Sequence, residues 1–187
     1  MRLRQSRTLY AWQLPAAVPD GPNGTPSGAP HMVDASRIDF AHAQDLYGPY
    51  FTKQAAADTL RRLADEQGLC LQRLGLEQHT RRGCFRAQLG RCRGVCTGAE
   101  PVEAHDTRLL AALAGQRVHR WPHAGAVGII ERGPDIEQVH WVRNWCYLGS
   151  YALDAAAAPD HGASFDLDSY RILVRPLLAR ALELREA

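Results

Sequence analysis

Four cysteines, Cys70, Cys84, Cys92 and Cys96, fall within 27 residues of a 187-residue chain. They are separated by 13, 7 and 3 residues, and the fifth cysteine, Cys146, stands apart. A chain of this length buries a hydrophobic core without needing cysteine staples to fold. No apolar run approaches the ~20 residues of a membrane span. The start, MRLRQSRTLYAWQLP, lacks the apolar stretch of a secretory signal. The expectation is therefore a cytoplasmic protein whose thiols stay reduced. In that compartment a cluster of four cysteines beside one distant cysteine reads as a metal site rather than a disulfide framework.

Thiolates are soft ligands that suit zinc, copper(I) and iron–sulfur clusters. Zinc sites usually pair their ligands in knuckles of two to four intervening residues, and only Cys92 and Cys96 lie that close. The wide, uneven gaps suit a cubane, whose corners are approached from different directions, and four cysteines are the usual protein ligation of a [4Fe–4S] cluster. That cluster is the first reading; a zinc ion and unligated thiols are the alternatives.

Charge follows the same segment. Residues 70–96 carry six arginines against Glu77, whereas residues 1–69 balance seven bases with seven acids and residues 97–187 hold nine against twelve. Arg81, Arg82, Arg86, Arg91 and Arg93 surround the candidate ligands. They are suited to compensating an anionic cluster, and their fork-shaped donors also match phosphate oxygens. The plainer alternative is a solvated basic loop.

Along the chain, RTLYAWQL and HMVDASRIDF read as strands flanking a proline- and glycine-rich loop at 15–30. DLYGPYF reads as a turn broken at Gly48–Pro49. Ala56, Leu60 and Leu63 predict a helix from Lys53 to about Gln67, stopped by Gly68. EAHDTRLLAALAGQ predicts a helix ending at Gly115. HAGAVGIIER and IEQVHWVRNWCYLGS predict a hairpin turning at Gly133–Pro134–Asp135. ALDAAAAPDHGAS reads as a second loop, and DSYRILVRPLLARALELRE as an amphipathic segment that Pro176 kinks or breaks. There is no internal repeat. The fold class is α+β: a small antiparallel sheet or hairpins with a few helices and the four-cysteine segment. Three stretches follow: 1–52 with strands and the flexible loop, 53–100 with helix and cysteines, and 101–187 with helix, hairpin and final helix.

Other candidates have structural readings. Asp166 and Asp168 precede an apolar helical run and read as caps rather than cation ligands. His105 and Asp106, at a helix start, read as surface or capping residues rather than a catalytic dyad. Cys146 reads as core. Trp12, Trp121, Trp141 and Trp145 read as core rather than as stacking platforms for unpaired bases.

The segment GCFRAQLGRCRGVCTG resembles the cysteine motif of the UvrC excinuclease family of bacterial nucleotide excision repair, in particular its shorter Cho-type branch, which also occurs fused to a DnaQ-type exonuclease. Cys70, Cys84, Leu89, Gly90, Cys92, Cys96 and Gly98 fall in register with it. LYGPYFTKQAAADTLRRLADEQGLC, WPHAGAVGIIER, NWCYLG and FDLDSYRIL extend the similarity over nearly the whole chain. The resemblance implies a [4Fe–4S] cluster on the four cysteines, association with damaged duplex DNA, and incision after UvrB has prepared the site. It also implies a GIY-YIG nuclease domain preceding this segment. The GIY and YIG strands, the catalytic arginine and the metal-binding glutamate have no counterparts here, so the resemblance assigns no catalytic residue and the chain is not expected to cut alone. Electron transfer or oxidant sensing by the same cluster, and a structural zinc module for protein contacts, are the rival functions. The oligomeric state is not legible.

Overall fold

The computed structural model describes residues 9–14, 28–35, 38–39, 41–154 and 165–186. Most of the expected loop at 15–30, and of the second loop before Phe165, lies outside the described residues. The chain divides into two compact units, one from Thr8–Ile38 and Gln44–Val118, the other containing Asp39–Ala43 and His119–Ala187.

In the first unit β1 (Tyr10–Gln13) lies between β2 (His31–Asp34) and β3 (Leu46–Tyr50), antiparallel to both. Helix α1 (Lys53–Gln67) buries Ala56, Leu60, Leu63 and Ala64, which share one face at the 3.6-residue period. Thr52 caps it, its Oγ1 accepting from the Ala55 N–H at 3.0 Å. Gly68, left-handed at φ 62°, ends it. The Trp12 indole donates to the Ala56 carbonyl at 3.0 Å and fastens the sheet to the helix. Leu109 and Leu113 of α3 (Val102–Leu113) complete this core with Tyr47, Leu69 and Leu74. Between α1 and α3 runs the cysteine segment, where only the four-residue α2 (Phe85–Gln88) and a 3-10 turn at Val95–Thr97 are regular.

The second unit is a four-stranded antiparallel sheet in the order β6-β5-β4-β7, from β4 (Val127–Arg132), β5 (Glu137–Arg143), β6 (Cys146–Ala152) and β7 (Leu184–Glu186). Helix α4 (Leu167–Leu178) packs on β6. Among the described residues the architecture is α+β: two small antiparallel sheets, four helices and a largely buried group of four cysteines.

Three elements differ from the sequence reading. Residues 46–50 form a strand rather than a turn. Its pairing with β1 shifts register between Tyr10 and Trp12, which leaves the cis Gly48–Pro49 pair in a bulge, where a residue without an N–H is tolerated at a sheet edge. IEQVHWVRNWCYLGS is two strands, because Asn144 and Trp145 both take positive φ (53° and 64°) and reverse the chain. A left-handed tryptophan is unfavourable, but here the ring is fully buried. It stands edge-on to Trp121 and Tyr170 at 5.0 and 5.3 Å and donates to the His119 carbonyl at 2.8 Å. Finally, α4 runs only two residues past Pro176, and Leu184–Glu186 pairs with β4 instead of prolonging a helix. Asp166 caps α4 as expected, accepting from the Ser169 N–H at 2.8 Å, while Asp168 lies within the first turn.

Candidate metal centre

Cys70 follows the turn that ends α1, Cys84 immediately precedes α2, Cys92 follows it, and Cys96 sits in the 3-10 turn. Cys70, Cys84 and Cys92 are buried and Cys96 is half-buried. Their four Sγ atoms all lie within 4.8 Å of one another, and no disulfide joins them. Segments 26 residues apart in sequence thus deliver four soft donors to one point. Backbone donors face the sulfurs: the Cys84 N–H to Cys96 Sγ at 3.3 Å and the Gly94 N–H to Cys92 Sγ at 3.4 Å, with the Arg73 and Ala87 N–H groups directed to Cys70 and Cys84. Such bonds favour the thiolate over the thiol. Gly94 is held at φ 89°, and a Cβ there would lie 2.7 Å from the Ala99 side chain. At Gly83 a Cβ would lie 2.6 Å from Thr97 and 3.4 Å from Cys96 Sγ. Both glycines are therefore required by the closure of the loop around the sulfurs.

Burial pushes the Cys70 and Cys84 thiols well above the ordinary range, since a thiolate there loses its hydration. Burial acts the same way on Cys96, but the Cys84 N–H and the neighbouring thiols outweigh it and lower its value. A bound metal supplies the positive charge that permits the thiols to ionise.

His105 is a correction to the sequence reading. It is fully buried, and its Nε2 accepts from the Cys70 N–H at 3.1 Å. Its Nδ1 meets Asp106 Oδ1 at 3.0 Å, and Asp106 Oδ2 accepts from Arg73 at 3.0 Å. Since Nε2 accepts the Cys70 N–H, the ring carries its proton on Nδ1, and burial lowers the imidazole below its usual range by more than Asp106 raises it. A chain of three side chains thus fixes the peptide at Cys70. The only sequence signal for it was a histidine on the apolar side of α3, one turn before Leu109. A second clamp lies beside it: Arg108 forms a buried pair with Glu100 and donates through Nε to the Gln67 carbonyl at 2.9 Å, tying α3 to the end of α1.

The five arginines divide. Arg86 is buried, donating to the Ala64 carbonyl at 3.1 Å and pairing with Asp65 at 2.6 Å. Arg81, Arg82, Arg91 and Arg93 are exposed, and none of the four forms an ion pair among the described residues. Arg91, Cys92 and Arg93 line a groove of about 570 Å³ whose other wall includes Asp65 and Gly68. Cys146 lies in the second unit, half-buried, and Trp12, Trp121, Trp141 and Trp145 are all buried, so the tryptophans serve as core.

Residues 26–115 match the UvrC/Cho excinuclease middle domain, and residues 126–187 the excinuclease Cho C-terminal domain. The chain belongs to the UvrC/Cho excinuclease family. Excinuclease cho of Salmonella typhi is 40% identical over 99% of this chain, and that of Escherichia coli K12 is 39% identical over the same share. The chain spans 60% of the length of each of these UvrC/Cho relatives. No solved structure matches. The four-cysteine group lies within the part matched by the UvrC/Cho middle domain. Among the described residues, no helix is long and apolar enough to cross a membrane.

Proposed function

We propose that this chain is the DNA-associated accessory portion of a UvrC/Cho-type repair excinuclease, with a [4Fe–4S] cluster held by Cys70, Cys84, Cys92 and Cys96. What supports a shared centre is the convergence of four cysteine sulfurs within 4.8 Å of one another among the described residues, and what favours the cluster as its occupant is the family to which the chain belongs. A cluster whose four irons are all held by protein has no open position for substrate, so its role is structural or redox. The residues around it do the positioning: His105 orients Cys70, and the Cys84 and Gly94 N–H groups face the sulfurs. Arg81, Arg82, Arg91 and Arg93 present an exposed cationic strip suited to the phosphate backbone of damaged duplex DNA, whereas Arg86 is engaged in the fold. Incision, and UvrB as the partner that prepares the site, are proposed for the longer protein of which such a portion forms part.

The distances favour a second occupant, since all four sulfurs lie within 4.8 Å of one another. The Cys84 and Cys96 sulfurs are 3.7 Å apart. A tetrahedral zinc with bonds of about 2.3 Å sets its sulfurs a little under ~4 Å apart, while a cubane holds them wider. Iron, sulfide and zinc analysis of anaerobically purified protein decides between the two. Iron and acid-labile sulfide in equal amounts are expected; stoichiometric zinc without sulfide would establish the zinc reading.

A further inference from the structure

The loop that carries the ligands also displays apolar side chains where none is needed for packing. Phe85, directly after Cys84, is 62% exposed, and Leu89, four residues on, is 53% exposed. Phe85 opens α2 and Leu89 is the residue that caps its C-terminal end, so the two lie four positions apart across one helical turn, a spacing that places them on the same side. Exposed arginines bracket it on both sides, Arg81 and Arg82 before and Arg91 and Arg93 after. A hydrophobic pair exposed in this way marks a contact surface, and its cationic flanks select a polyanion. Apolar residues set between phosphate-binding arginines are the arrangement by which proteins wedge into a base step or stack on an unpaired base.

We propose that Phe85 and Leu89 form a wedge that meets an unstacked base of DNA while the flanking arginines hold the phosphates on either side. This rests on the DNA-association reading above and specifies what the surface recognises: a locally unpaired step rather than an intact helix. It also connects the metal centre to recognition. Cys84 precedes Phe85 in the chain and Cys92 lies three residues beyond Leu89, so the ligands anchor both ends of the wedge.

The test uses the metal-loaded chain and two short duplexes, one intact and one with a single unpaired 2-aminopurine. The native protein is expected to bind the second about tenfold more tightly, with a change in 2-aminopurine emission. Phe85→Ser combined with Leu89→Ser removes that preference and the emission change but leaves the salt dependence of binding to both duplexes intact. Arg81→Ala with Arg91→Ala instead flattens the salt dependence on both. If the serine variant loses its metal, Phe85→Leu replaces it and is expected to lose the emission change alone. A preference retained in the metal-loaded wedge variants overturns the wedge while leaving the arginine reading in place. Retention together with weakened UvrB binding reassigns the pair to a protein interface. No binding of either duplex by the native protein at low salt overturns both readings.

Discussion

Cys70 owes its orientation to a residue 35 positions away, since its N–H has His105 Nε2 as acceptor and both groups are buried. His105→Ala leaves that N–H unpaired and is expected to cost about 1–3 kcal/mol. Urea unfolding of the metal-loaded chain measures it, and His105→Gln, which restores an acceptor, should recover part of the loss. An alanine variant as stable as the native chain would show that the bond contributes nothing. The arginines separate by the same logic. Arg86→Ala removes the partner of the Ala64 carbonyl and of Asp65, so stability falls by about 1–3 kcal/mol while the salt slope of DNA binding stays unchanged. Arg81→Ala with Arg82→Ala does the opposite. It leaves unfolding unchanged and reduces the slope of log K against log salt by about one per lost phosphate contact. Identical behaviour of the two variants would remove the distinction between structural and DNA-facing arginines.

At the scale of elements, the cysteine segment is held between α1 and α3, and Arg108, paired with Glu100, joins the middle of α3 to the end of α1. The Arg108 guanidinium beside Glu100 holds its carboxyl below the ordinary value of 4.5, against the opposing effect of burial. A carboxyl depressed on folding contributes stability that is complete above its unfolded value and lost as pH falls through the folded one. Acidification below about pH 4.5 should therefore weaken the native chain. Glu100→Gln should be less stable near neutrality yet lose less on acidification, as read from urea midpoints across pH. Parallel pH profiles would show that the pair does not titrate with folding. The second unit has its own steric lock at Gly128, where a Cβ would come within 2.4 Å of the Val139 side chain and 3.2 Å of the Trp141 ring. That glycine lets β4 lie close against β5.

For the whole molecule, the two units have separate cores, and the four-cysteine group belongs to the first. Residues 71–101 have one short helix and one 3-10 turn to order them, so on the metal-centre proposal the energy of metal binding is folding energy for this stretch. Removing the metal by chelation should raise amide exchange from Leu69 to Gly98 while the β4–β6 amides keep their protection. Uniform loss of protection across both units would show instead that the chain folds as one cooperative body. Retained protection at Leu69–Gly98 would show that packing alone closes the site.

The grouping of the four cysteines, the limits of α1 and the α+β class were legible because each rests on local chemistry: donor type, apolar period, and a glycine stop. The motif also carried the family likeness. What stayed hidden depended on partners distant in sequence. Trp145 accepts a left-handed conformation because Trp121, Tyr170 and the His119 carbonyl enclose it, and the segment 184–186 is a strand because β4 has an edge to pair. Nor does any spacing rule distinguish Arg86 from Arg82, since one finds Asp65 and a helix-end carbonyl while the other finds solvent. His105 reads as a surface residue until α3 is laid against Cys70. The sequence by itself determined which atoms are available to bind; only the tertiary structure decided which were desolvated together, and burial is what turns a histidine into an anchor and an arginine into a strut.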